Sequence, residues 1–334
     1  MQITSILDIV DGRLINHPSI SFIYSIKTNP RKVKEGDLFI IQKKEDIPLA
    51  VENGAFALIT NENIDITDIP DNEIAWIKVI SIKETIIKLI RYLLSNIKLN
   101  AFYCNEVTYD FFNILRKPTV HTNIKIIPKK LSKIFKILDD LEENDTIIFY
   151  DQKLLDSIYP VNFDFNTKEY KVNNLIEHSI FETTFSYEDR YFSKLKISSL
   201  YLREFLDVYS FLDFDADLNK LKKFHNLKSI FVDKQINHID FGKSDKFLLA
   251  QDNEELILKE VKYLREKYKY AKILYITTKE IDDNKDIDYT FINSLDELKI
   301  YLKKTQFNAV YFIGVSYDEL YEQISKQNNE PSLI

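Results

Sequence analysis

A basic segment with side chains suited to anion binding lies near the start of the chain. It contains one asparagine, one arginine and three lysines, namely Asn29, Arg31, Lys27, Lys32 and Lys34. The chain as a whole has a formal charge of −7, so a local basic cluster would concentrate anions here. Because arginine can bind a phosphate through two parallel hydrogen bonds, Asn29 and Arg31 are candidate contacts to a diphosphate or a nucleotide. The alternative is structural, with Asn29 capping a turn that Arg31 holds in place.

The positions of the glycines limit where phosphate chemistry can occur. The chain has five, which are Gly12, Gly36, Gly54, Gly242 and Gly314. A phosphate-binding loop needs glycines where the backbone takes positive φ or approaches the phosphate closely. The glycine-free stretch between Ala55 and Phe241 therefore excludes a P-loop and a dinucleotide fingerprint from the middle of the chain. Gly36 and Gly54 are interpreted as structural residues, one in a turn and one ending a helix.

Other reactive side chains give no site. The one cysteine, Cys104, excludes an internal disulfide and stands among aromatic residues, which indicates a small buried side chain rather than a reactive thiol. The five histidines show no i, i+4 pairs, so we predict no metal site. The segment 240–244 ends in Gly-Lys-Ser but is interpreted as a surface turn, and the acidic segment 282–288 as a loop.

Composition and charge narrow the class of protein. The acidic pI of about 5.5 argues against a nucleic-acid partner. The first eight residues lack the basic region of a signal peptide, and no uncharged apolar run approaches the ~20 residues needed for membrane insertion. With a single cysteine, these features lead us to expect a cytoplasmic protein.

The apolar pattern predicts alternating strands and helices. Strands are expected over 21–26, 37–41, 55–59, 75–79, 124–127, 145–150, 247–250, 272–276 and 309–313. Helices are expected over 48–53, 82–95, 105–115, 131–141, 199–212, 216–224, 254–268 and 295–303. A β-hairpin is expected over 181–197. This alternation predicts an α/β fold with parallel, doubly wound sheets.

One stretch resembles a known family. Residues 29–40 follow the N-terminal signature of the Mur ligases, roughly D-[ST]-R-x-[VL]-x-P-G-x-[LC]-F-[VI]-A, and residues 49–59 follow its continuation x-A-x-x-x-G-A-x-A-[LV]-[LIV]. The resemblance continues more weakly through 181–212, 247–276 and 293–324. Mur ligases use ATP to add amino acids to UDP-N-acetylmuramic acid in peptidoglycan synthesis.

The resemblance implies a three-domain architecture. It comprises a Mur-ligase N-terminal-like domain over 1–97, a reduced central domain over 98–240 and a Rossmann-like C-terminal α/β domain over 241–334. A central domain of this length is short for the family.

The departures from the family pattern fall at the positions that bind ATP, substrate and magnesium in the Mur ligases. Where active members carry G-[ST]-x-G-K-[ST], this chain has Phe102-Tyr103-Cys104-Asn105-Glu106-Val107-Thr108-Tyr109, without glycine or lysine. Pro30 replaces the nucleotide-contacting Ser or Thr, and the substrate loop is cut to residues 42–46. No counterpart of the magnesium ligands or of the modified lysine is evident.

These departures indicate a Mur-ligase-like pseudoenzyme with no catalytic residues and no cofactor. It would bind a UDP-N-acetylmuramyl precursor or another cell-wall synthesis protein. The alternatives are an active ligase that uses ATP and Mg²⁺ at an unconventional nucleotide site, and a purely structural protein–protein interaction module.

Overall fold

The protein has an α/β fold with several sheets of mostly parallel strands, as the sequence predicts. The computed structural model describes residues 1–63, 73–165, 168–279 and 287–326. Contacts divide the chain into two compact units: unit 1 is Met1–Asn113 with Lys117–Asn166, and unit 2 is Ile114–Arg116 with Thr167–Ile334. The predicted boundaries after residues 97 and 240 stay predictions. The acidic residues Asp282, Asp283 and Asp286 lie outside the described ranges.

The first sheet of unit 1 has the order β1-β5-β4-β3-β2 and is parallel except for β1. Its elements are α1 (Ile3–Val10), β1 (Arg13–Leu14), β2 (Ile26–Lys27), β3 (Leu38–Ile40), α2 (Ile47–Glu52), β4 (Ala57–Thr60), β5 (Ala75–Lys78) and α3 (Ile82–Leu94). Strands β3 and β4 are buried along their whole length. Such continuous apolar strands are typical of a parallel sheet that is covered on both faces.

The second sheet of unit 1 has the order β7-β8-β6-β9, and all its strands are parallel. Its elements are β6 (Asn100–Tyr103), α4 (Glu106–Leu115), β7 (Ile124–Ile126), α5 (Phe135–Leu138), β8 (Thr146–Phe149), α6 (Gln152–Ile158) and β9 (Phe163–Asp164). One apolar core joins the two sheets, because Ile86 and Leu89 of α3 cluster with residues from both, such as Ile77 and Ile147.

Unit 2 contains an antiparallel sheet, β10-β11-β12, and a mostly parallel one, β13-β14-β17-β15-β16. Only β13 is antiparallel to its neighbour in the second sheet. The elements are β10 (Asn173–Ser179), β11 (Glu182–Tyr187), β12 (Arg190–Leu195), α7 (Leu202–Phe211), β13 (Ile230–Phe231), β14 (Phe247–Gln251), α8 (Glu254–Lys267), β15 (Ile273–Thr277), β16 (Tyr289–Phe291), α9 (Leu298–Lys303), β17 (Ala309–Ile313) and α10 (Tyr317–Ser325).

The largest local error of the sequence analysis concerns the predicted strand over 21–26, which is a strand only from Ile26. The preceding residues instead pair with the beginning of the chain, where Ile3 N–H donates to Ser21 O and Ile23 N–H donates to Met1 O. A long-range pairing of this kind leaves no local pattern in the sequence. Within the described ranges, no helix is both long and apolar enough to span a membrane.

Candidate functional site

The basic segment forms a short 3₁₀ turn at Pro30–Lys32 that is held by hydrogen bonds from three places. Asn29 caps it, since its Oδ1 accepts from the Arg31 N–H at 3.1 Å. Asn53 Nδ2 donates to Pro30 O at 3.0 Å, and Thr28 Oγ1 donates to Ser132 O at 2.7 Å. The conformation of the turn is therefore fixed without a ligand.

The cations of the basic segment differ in whether their side chains already have an ion-pair partner. Lys27 donates to Ser25 Oγ and pairs with Asp139 at 3.4 Å. Arg31 and its neighbours Lys32 and Lys34 are exposed, and their side chains form no ion pair in the described ranges. The turn brings Asn29 and Arg31 together, but the Asn29 oxygen already serves as the cap. Arg31 is the better placed of the two to contact an anion, because it is exposed, carries a positive charge and has no ion-pair partner in the described ranges. The contact of either residue to a nucleotide-sugar stays a prediction.

Gly36 and Gly54, which follow this turn in the chain, are in direct backbone contact with each other. Both lie in the left-handed region, with φ of 91° and 89°. The Gly36 N–H donates to Gly54 O at 3.0 Å, so the loop before β3 is tied to the end of α2. A Cβ on Gly54 would lie 2.9 Å from the Glu35 Cα. Both positions need glycine for the backbone, which gives the two glycines a structural role.

The sequence resemblance implies that the connection from β6 to α4 corresponds to the phosphate loop of the Mur ligases. It consists of Cys104 and Asn105. Asn105 begins the helix, since its Oδ1 accepts from the Thr108 N–H at 2.9 Å. Cys104 donates from Sγ to Phe149 O at 3.6 Å and is buried. Burial, with a smaller contribution from Asp110, raises the pKa of this thiol far above its ordinary value, which disfavours the thiolate form that a nucleophilic cysteine needs.

An ion pair at the start of α4 lies close to two neighbouring tyrosine rings. Glu106 pairs with Lys129, which follows β7. The Lys129 Nζ lies 4.8 Å from the ring centroid of Tyr150 and 5.7 Å from that of Tyr109. Burial lowers the pKa of Lys129, but the carboxylates of Glu106 and Asp110 outweigh this, so its pKa is raised overall. Lys129 therefore stays protonated with Glu106 as its counter-ion.

This arrangement lies at the carboxyl ends of β6, β7 and β8, where parallel sheets usually bind ligands. The cation that could bind a ligand here is Lys129, but it already forms an ion pair with Glu106. Within the described ranges there is also no group of three or more His, Cys, Asp or Glu residues that could hold a metal ion. A triphosphate bound at this place would have to separate Lys129 from Glu106.

Sequence reasoning missed Lys129 and Tyr150. Lys129 follows β7 and Tyr150 follows β8. Their position just after predicted parallel strands is the sequence feature that could have identified them as candidate site residues. It also missed a cavity of about 300 Å³ inside unit 2, which lies away from Asn29 and Arg31 in the chain.

Comparisons with known proteins give structural similarity without a sequence match. No protein-family model matches the chain, and no curated protein matches it. The structure is similar to the MurF ligase of Thermotoga maritima, at 12% identity and a TM-score of 0.49, over 90% of this chain and 96% of that one. It is also similar to the UDP-N-acetylmuramoylalanyl-D-glutamyl-2,6-diaminopimelate–D-alanyl-D-alanyl ligase of Acinetobacter baumannii, at 10% identity and a TM-score of 0.48, over 97% of each chain. At these identities and scores the similarities do not assign the chain to a family.

Proposed function

We propose that the protein is a Mur-ligase-like binding protein of cell-wall synthesis that works in the cytoplasm and carries out no ATP chemistry. The proposal rests on two stretches of the chain. The signature over 29–59 supports a nucleotide-sugar-binding domain, and the start of α4 supports the loss of ATP chemistry.

The Glu106–Lys129 pair is the observation that carries the proposal. A phosphate loop holds its ligand with backbone N–H groups and a lysine at a helix N-terminus. Here the N-terminus of α4 has the Asn105 cap and a carboxylate in its first turn. The helix dipole already stabilises Glu106, and a triphosphate would meet a negative charge in place of an amide cradle.

The ligand that fits the basic segment is a UDP-N-acetylmuramyl precursor. Its diphosphate carries the charge that Arg31, Lys32 and Lys34 can attract, and these cations are exposed and have no ion-pair partner in the described ranges. Pro30 offers neither a hydroxyl nor an N–H to a nucleotide. We therefore expect micromolar binding at best. In the cell, the protein would function in a complex with this precursor or with a partner protein of the same pathway.

Replacing Arg31 with alanine is expected to weaken the binding of UDP-N-acetylmuramyl peptide by about 1.5–3 kcal/mol, because one charge-assisted contact is lost. The measurement is a calorimetric titration of the natural protein and of Arg31→Ala. Arg91→Ala is the matched control, since Arg91 is an exposed arginine on α3 outside the basic segment. Equal affinity of all three proteins would place the site elsewhere, and no binding by any would favour a structural interaction module.

An active ligase with an unconventional nucleotide site is the second candidate. One observation favours it: Lys129 places a cation at the carboxyl ends of the sheet strands, although it comes from a different loop than the family lysine. For ATP to bind there, its phosphates would have to displace Glu106 from Lys129. The two candidates therefore differ in ATP affinity, which is directly measurable.

A further inference from the structure

A cavity of about 300 Å³ lies inside unit 2, far along the chain from the basic segment. Its wall comes from the end of β12, the 3₁₀ turn at Leu218–Lys223, strand β13 and the loop over 238–241. This volume is at the small end of the range for ligand pockets, about 300–1,000 Å³. The cavity can therefore take a compact small molecule.

One side of the cavity is aromatic. The rings of Phe181, Phe231 and Phe241 form a cluster, with the Phe241 centroid 5.6 Å from that of Phe181 and 5.2 Å from that of Phe231. Phe241 is 51% exposed. A planar apolar ligand would cover this ring and gain both buried area and ring stacking.

The charged groups in the wall favour an anion. Lys222 and Lys228 both line the cavity, and neither forms an ion pair in the part of the chain that the structure describes. The Lys228 Nζ donates to Lys222 O at 2.7 Å and lies 4.5 Å from the ring centroid of Tyr317. The carboxylate in the wall, Asp240, is already paired with Lys243 at 2.6 Å. An anion entering the cavity would add to the counter-charge that Asp318 already supplies to Lys228.

One further group, the amide of Asn226, completes the polar side. Asn226 Oδ1 accepts from Gln251 Nε2 at 3.2 Å, which fixes the orientation of the Asn226 amide. Its Nδ2 makes no hydrogen bond among the described residues, so it is a donor available to a carboxylate. The third lysine in the wall, Lys196, is paired with Glu182 and lies 5.0 Å from the Phe241 centroid, so it adds to the aromatic side rather than to anion binding.

We propose that this cavity binds a small aromatic acid, with its ring against Phe241 and its carboxylate near Lys228 and Asn226. An aromatic acid suits a wall of this kind better than a nucleotide does. The polar side offers a few donors, which suit one acidic group better than several phosphates. The inference does not depend on the Mur-ligase-like function.

The test is a calorimetric titration with cinnamate and with its uncharged counterpart cinnamamide. We expect the natural protein to bind cinnamate roughly 10- to 100-fold more tightly, because only cinnamate makes a charge-assisted contact. Lys228→Met keeps the aliphatic stem of the side chain and is expected to remove this preference. Phe241→Ala is expected to weaken both ligands by a similar factor. Lys304→Met is expected to leave both affinities unchanged, because Lys304 is an exposed lysine of unit 2 that neither lines the cavity nor forms an ion pair in the described ranges.

Thermal unfolding of each variant checks that it is folded, and Lys222→Met replaces Lys228→Met if the latter is not. Equal affinity for cinnamate and cinnamamide, or no cinnamate binding at millimolar concentration, would overturn the proposal. Displacement of cinnamate by a tighter-binding adenine nucleotide would also overturn it, because the cavity would then be a nucleotide site.

Discussion

Replacing Gly54 with alanine is expected to lower the free energy of unfolding by about 2–4 kcal/mol. Two costs combine: a non-glycine residue at a φ of 89° is strained, and the new Cβ would lie 2.9 Å from the Glu35 Cα, which is backbone and cannot swing away. The measurement is urea unfolding followed by the fluorescence of Trp76. This single tryptophan is buried in the same apolar cluster as Ala50 and Ala55, so it reports directly on this region.

Gly36→Ala is the matched control, since Gly36 has nearly the same φ and lies in the same unit. Its new Cβ would meet the ring of Tyr24, a side chain that is 71% exposed and can move aside. We therefore expect a cost of about 1–3 kcal/mol, from strain alone. A larger loss for Gly36→Ala than for Gly54→Ala would show that the contact with Glu35 is not the limiting one.

Unit 2 is expected to lose about 3 kcal/mol of stability as the pH rises from 4.5 to above 7, because of one buried carboxyl. Glu260 of α8 is fully buried and accepts hydrogen bonds from Tyr201, from Tyr311 at 2.6 Å and from Gln251 at 3.0 Å. Burial outweighs these bonds and raises the pKa of Glu260 from 4.5 to about 7. Between these two values the unfolded chain releases the proton while the folded protein keeps it, so stability falls as the pH rises.

The effect is isolated by comparing urea unfolding of the natural protein with that of Glu260→Gln, which cannot ionise. The stability of the variant relative to the natural protein is expected to increase by about 3 kcal/mol between pH 4.5 and pH 8. Circular dichroism follows unfolding, and Trp76 fluorescence identifies the part of the curve that belongs to unit 1. A difference that stays constant over this pH range would mean that Glu260 titrates normally in the folded protein.

The α/β class could be predicted because buried parallel strands are locally apolar. Strands β3 and β17 are buried along their whole length, and each appears in the sequence as an uninterrupted apolar run. Helix α1 was missed although Ile3, Ile6 and Val10 form a buried helical stripe, since nothing but that short pattern marks it. The association of the first two sheets was not visible either, because it depends on α3 packing against both.

The candidate sites show the same limit. The Asn29 cap could be predicted because an N-cap and its partner are neighbours in sequence. The pairing of Glu106 with Lys129 could not, since Glu106 follows β6 and Lys129 follows β7, and these two strands come together only as the two neighbours of β8 in the parallel sheet. The cavity of unit 2 gathers Phe181, Phe231 and Phe241 from separate segments, so each aromatic residue alone is indistinguishable from an ordinary core residue.

A calorimetric titration of the natural protein with ATP and magnesium tests most directly whether ATP chemistry has been lost. We expect no saturable heat at millimolar ATP, because Glu106 and its pairing with Lys129 occupy the place of the phosphates and no glycine loop supplies amides. An active Mur ligase titrated under the same conditions is the positive control. A dissociation constant tighter than ~100 µM, equivalent to about 5.5 kcal/mol of binding free energy, would contradict the proposal and favour an active ligase with an unconventional nucleotide site.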